Sequence, residues 1–74
     1  MNIEAIDAAM NAAQRLRRDE ISDEISRRRE SFHAPASTFE SRRADIAAVM
    51  ELGQELGNMR RQIEYDLRRA AVKA

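Results

Sequence analysis

The 74 residues contain no cysteine, no tryptophan, one proline and two glycines. Without cysteine there are no disulfides and no thiolate metal sites, so neither can compensate for the small core of so short a chain. Scarce glycine and proline leave few places where a helix must stop, and abundant alanine, arginine and glutamate favour helix almost everywhere. Net charge is also lacking: thirteen basic residues balance thirteen acidic ones. That argues against a general nucleic-acid binder, which needs a net positive face. No apolar run approaches the roughly 18 residues of a spanning helix. The opening Asn2-Ile3-Glu4 lacks the basic-then-apolar order of a signal peptide, so a cytoplasmic location is expected and no membrane partner. The alanine and arginine richness points to a bacterial or phage-infected cell.

What the chain does have is amphipathic helix on either side of a single punctuation point. Pro35 precedes Ser37-Thr38-Phe39-Glu40, which reads as a capping box: Ser37 accepts from the N–H of Glu40, and Glu40 reaches back to the N–H of Ser37. The expected fold is all-α, an antiparallel hairpin of two long helices over about 3–32 and 38–72 with the turn at 33–37, forming one domain over 1–74. Asn2 is a candidate cap for the first helix.

The first helix starts its stripe with Ile3, Ile6, Met10 and Ala13, slips by one position, and resumes with Ile21, Ile25 and Phe32. Met10, Ile21 and Phe32 are eleven apart, a repeat that relaxes the left-handed supercoil. The second helix reads as heptads, with Phe39, Ile46, Val49, Gly53, Leu56, Ile63, Leu67 and Ala70 on the seam. Folding one helix onto the other about the turn pairs residues whose numbers sum to roughly 71. Phe32 then meets Phe39, Ile25 meets Ile46, Leu16 approaches Leu56, Ile3 approaches Leu67, and the large Arg17 faces Gly53.

Left over on this reading are Met50, Leu52, Met59, Tyr65 and Val72, too much apolar surface for so small a body. With Gly53, Leu56 and Gly57 they define a candidate interface, through which two hairpins would form a four-helix bundle or one hairpin would dock on a larger protein. Arg61 and Arg68 would orient that contact from its rim. Gly53 and Gly57, four apart, permit close approach of another helix or make room inside the bundle. Arg28, Arg42 and Arg43 make the turn end basic and are the candidate electrostatic contacts.

Catalytic, cofactor and metal residues are not expected. His33 is the sole histidine and has no second ligand at helical spacing. The run Asp19, Glu20, Asp23 and Glu24 is bracketed by arginines and has no apolar pocket to shift its protonation. Ser22, Ser26 and Ser31 lack a base to activate them. The leading expectation is therefore a non-enzymatic interaction module: a homodimer that docks a helix face on a larger protein as regulator, inhibitor or adaptor. One alternative is an RNA- or DNA-binding hairpin dimer that uses the arginine-rich turn end. Another is a self-assembling structural or secretion-system subunit or chaperone.

Overall fold

A computed structural model describes residues 2–73. It contains α1 (Ile3–Ala8), α2 (Ala12–His33) and α3 (Phe39–Lys73). The two long helices pack antiparallel and α1 folds against the distal half of α3, giving a rod of 55 × 18 × 18 Å. No helix among the described residues is long and apolar enough to cross a membrane.

The single first helix expected over 3–32 is broken at residues 9–11. The cause is a second start signal, Asn11-Ala12-Ala13-Gln14. Asn11 Oδ1 accepts from the Gln14 N–H at 2.8 Å, and Gln14 Oε1 accepts from the Asn11 N–H at 2.9 Å. This reciprocal cap satisfies donors that open when α1 stops. Asn2 caps α1 as expected, accepting from the Ala5 N–H at 2.8 Å. The bend is measurable in one ion pair. Asp7 lies 3.6 Å from Arg18, eleven residues ahead, which a straight helix would set about 16 Å further along its axis.

At the turn the cap falls one residue later than expected and excludes Glu40. Thr38 Oγ1 accepts from the Ser41 N–H at 3.1 Å, while Ser41 Oγ accepts from the Thr38 N–H at 2.8 Å. Ser37 is then free to tie the end of α2 to the start of α3. Its hydroxyl donates to the Phe32 carbonyl at 3.2 Å and accepts from Arg42 Nε at 2.9 Å.

The register holds near the turn and drifts away from it. Arg28 meets Asp45 and Arg17 meets Glu55, numbers that sum to 73 and 72. Beyond the break Asp7 meets Arg60, summing to 67, because the bent segment advances less along the rod than a continuous helix would. Arg17 therefore does not fill the space at Gly53. It reaches Glu55 and Glu20, and nothing lies within 4 Å of where a Cβ on Gly53 would stand.

The largest departure concerns which face of α3 is inside. The eleven-residue spacing of Met10, Ile21 and Phe32 holds: the first two are buried and Phe32 is half-buried. The same spacing, rather than the heptad, governs α3. Ser41, Leu52 and Ile63 form one inward row; Asp45, Leu56 and Leu67 form the other, all buried or half-buried. Phe39, Ile46, Gly53 and Ala70, expected on the seam, are exposed, Phe39 at 76 %. Exposed also are Leu16 and Ile3, so the proposed contacts of Leu16 with Leu56 and of Ile3 with Leu67 are not core pairs. A heptad drifts about 20° every seven residues relative to an unsupercoiled helix, enough over two repeats to carry a side chain off the seam. What permits the rotation is Asp45, a charged residue that can occupy the inside because Arg28 of α2 reaches it at 3.3 Å.

The core is small. Four apolar side chains are buried among the described residues: Ile6, Met10 and Ile63 as one cluster, and Ile21 by itself near the middle. Leu56, Met59 and Leu67 pack against the cluster from α3. Its rim is closed by Asp7, which accepts from Arg60 at 3.0 and 3.1 Å. The hydrogen bonds from Arg60, reinforced by the nearby charges of Arg60 and Arg18, hold the Asp7 carboxyl below its usual 3.8 against the opposing effect of burial. Because the folded value is depressed, this contribution is complete above the unfolded value and is lost as pH falls through the folded one. Acidification from pH 5 to pH 2 should therefore detach α1, with Asp7→Asn abolishing that part of the acid transition. Hydrogen exchange of the α1 amides provides the readout.

Candidate interaction surface

Rotating Asp45 onto the seam turns a second row of α3 outward. At eleven residues per three turns, Phe39, Met50, Arg61 and Val72 fall in line, with Ile46, Gly57 and Arg68 beside them. Met50 and Tyr65 are 61 % and 58 % exposed, and Ile46 and Val72 are also open to solvent. Gly53 is exposed in the middle of this strip, and Gly57 is half-buried beneath Arg61, whose guanidinium lies 3.6 Å from a Cβ placed there. Arg61 is held in that position by donating to the Asn58 side chain.

Leu52, Leu56 and Met59 lie on the other side of this boundary. All three are half-buried and face the helices of their own chain, Leu56 and Met59 against the Ile6 cluster. The structure thus brings together Met50, Gly53, Gly57, Arg61, Tyr65 and Arg68 on one outer face and separates Leu52, Leu56 and Met59 from it. Phe39 and Ile46 were missed as surface residues because the heptad reading assigned them to the seam.

Beside the outer face, between the turn-proximal ends of α2 and α3, lies a groove of about 230 Å³. Phe32, Ile46, Val49 and Met50 supply its apolar lining, with His33 and Arg28 at its α2 edge. The His33 ring stands edge-on to Phe32 at 5.1 Å. Asp45 also lines the groove. Its Oδ1 accepts from Arg28, but its Oδ2 is buried with no hydrogen-bond partner among the described residues. A buried carboxylate oxygen without a donor is costly, and a functional cause should be sought for it. The sequence held a signal for this site: opposite charges at positions 28 and 45, close to the hairpin register.

The electrostatics of the turn end are less open than its arginine count implies. Arg28 is shared between Asp45 and Glu24, and these two acids, Asp45 foremost, raise its pKa. Glu24 is held low by hydrogen bonds from Arg27 and then Arg28. Arg42 and Arg43 lie over aromatic faces, 5.8 Å from the Phe32 centroid and 6.0 Å from the Phe39 centroid, a cation–π arrangement that leaves them at the surface. Further along, Arg68 pairs with Glu64 at 2.6 Å, and Arg17 holds the Glu55 carboxyl low. Among the described residues there is no group of three or more His, Cys, Asp or Glu placed to hold a metal ion.

Chemically, the arrangement offers an apolar, glycine-notched helix face next to a groove with one unsatisfied acceptor. No family model, curated protein or solved structure matches this chain.

Proposed function

We propose that the chain is a small non-enzymatic protein–protein interaction module that works by docking the outer face of α3 on another helical surface, as a regulator, inhibitor or adaptor. One observation carries the reading. Large apolar side chains, Phe39, Ile46, Met50, Tyr65 and Val72, stand exposed along α3, while few are buried beneath them. Several large apolar side chains left exposed along one helix are a mark of an interaction site, and helix-in-groove recognition uses such anchors.

The test is a tagged pull-down of the full chain from its host, comparing the wild type with Met50→Asp, each with and without nuclease. Docking through α3 predicts a stoichiometric protein partner that survives nuclease and is lost on Met50→Asp while helicity by circular dichroism is retained. Material that disappears on nuclease treatment, withstands Met50→Asp and falls away steeply with salt would overturn the reading in favour of nucleic acid held by Arg42 and Arg43.

A further inference from the structure

We propose that the groove and the edge of α3 beside it receive an amphipathic helix of another protein, acidic at both ends and carrying a tryptophan near one of them. This rests on the docking role of the α3 face and names the chemistry of its occupant. The first argument is shape. At about 100° per residue, Phe39, Ile46, Met50, Gly53 and Gly57 fall within about 60° of one another on α3 and run for about 27 Å along it. Tyr65 and Val72 stand about 70–90° round the helix from the middle of this edge and take no part. Val49 and Asp45 continue the edge into the groove, whose far side is formed by Phe32 of α2. A third helix laid here would sit in the angle between α2 and α3. Both glycines weaken α3 relative to alanine, yet Gly53 has open space around it and Gly57 faces only the end of the flexible Arg61 side chain. Their use is to let the backbone of the incoming helix approach closely.

The second argument is charge. No charged residue of α3 falls on this edge between Arg43 and Arg60. Arginines bound it instead: Arg42 and Arg43 at the turn, Arg61 beyond the glycines, and Arg29 of α2 at the groove itself. Among the described residues none of these four meets a carboxylate; Arg42 reaches Ser37, Arg61 reaches Asn58 and Arg43 lies over Phe39. Asp45 and Glu24, the acids at the groove, are taken up by Arg28 and Arg27. Such a face attracts acidic residues and repels basic ones. It also disfavours a second copy of the chain, which laid along the edge in either direction would set arginine against arginine.

The third argument is Asp45. Its Oδ2 is buried without a donor in the wall of an otherwise apolar groove. A modest turn of the carboxylate presents that oxygen to the groove. A tryptophan fits the remaining requirement: its ring fills the apolar space between Phe32 and Val49, and its indole N–H donates without bringing an acceptor that would need a partner of its own.

The probe is a synthetic helical peptide of about 20 residues, long enough to cover the edge, with leucines on one face, a tryptophan one turn from an end and glutamates at both ends. Its twin carries lysines in place of the glutamates. The chain has no tryptophan of its own, so indole emission reports the peptide alone. Titration with the full chain should shift the emission of the glutamate peptide to the blue with one-to-one saturation, and the lysine twin should bind at least about tenfold more weakly. Arg29→Glu should narrow that preference. Gly53→Leu, whose side chain meets nothing in its own chain, should abolish binding with helicity retained, whereas Tyr65→Ala should leave binding unchanged. Phenylalanine in place of the peptide's tryptophan, read by competition, should weaken binding about tenfold, the loss of one hydrogen bond to a charged acceptor. Equal binding of the two peptides, indifference to Gly53→Leu, or no shift with either peptide would overturn the inference. So would a sedimentation mass of twice 8.5 kDa that Gly53→Leu returns to one chain, because a second copy would then cover the edge. If any of these occurs while Met50→Asp still releases a captured protein, this inference alone fails; if capture ignores Met50→Asp, the docking role fails with it.

Discussion

Replacing Ile21 by alanine is expected to lower stability by about 2–4 kcal/mol, the usual cost of emptying a buried aliphatic site. Among the described residues Ile21 is the one side chain with no exposure at all, and it sits apart from the Ile6, Met10 and Ile63 cluster. At roughly 4–8 °C per kcal/mol for a chain of this size, the melting temperature should fall by at least about 8 °C. Leu16→Ala provides the control, because at 62 % exposure it should change stability by less than about 0.5 kcal/mol. Circular dichroism melts at one fixed protein concentration measure both, concentration being held constant because association would shift the apparent stability. Equal effects of the two substitutions would refute the eleven-residue seam.

The second large effect is expected at the Arg28–Asp45 pair. Arg28→Met removes the one hydrogen-bond donor that reaches Asp45 among the described residues, and Asp45 is 3 % exposed, so a charge is left in the seam without compensation. Breaking buried pairs costs about 3–5 kcal/mol; because the Arg28 side chain is itself 39 % exposed and screened, about 2 kcal/mol is expected here. The double variant Arg28→Met with Asp45→Leu should recover the loss and can exceed the wild type, since an apolar pair of similar volume removes the desolvation cost altogether. Urea titrations of the wild type, the single and the double variant decide this. A double variant no more stable than the single would show that Asp45 is not part of the internal seam.

The two helices and their reversal were legible because the signals that specify them are local. Pro35, the run of hydroxyl residues after it and the near absence of other breakers act within a few residues, and so did the cap on Asn2. Even the misplaced details were local choices between close competitors. Ser37 and Thr38 both offer a capping oxygen, and Thr38 prevails because Ser41 can answer it while Ser37 bridges Phe32 and Arg42. The Asn11 cap had an equally local signature in Gln14. An alanine-rich stretch can continue as helix through such a site, and the break becomes favourable only when α1 gains Arg60 and the Ile63 cluster in return.

The outer face of α3 was legible in part. Met50 and Tyr65, expected outside the seam, are exposed; Gly53, expected on the seam, is exposed too, while Leu52 and Met59, expected to extend the open face, turn inward. Both outcomes follow from one rotation of α3. Sequence by itself determined that this chain makes a hairpin of amphipathic helices with apolar surface left over, since composition, periodicity and caps are properties of neighbouring residues. Only the tertiary structure decided which side of α3 is the inside. Repeats of 3.5 and 3.67 residues per turn differ by a few degrees per residue, and a polar residue such as Asp45 or Asp7 can face inward only if an arginine from another helix meets it there.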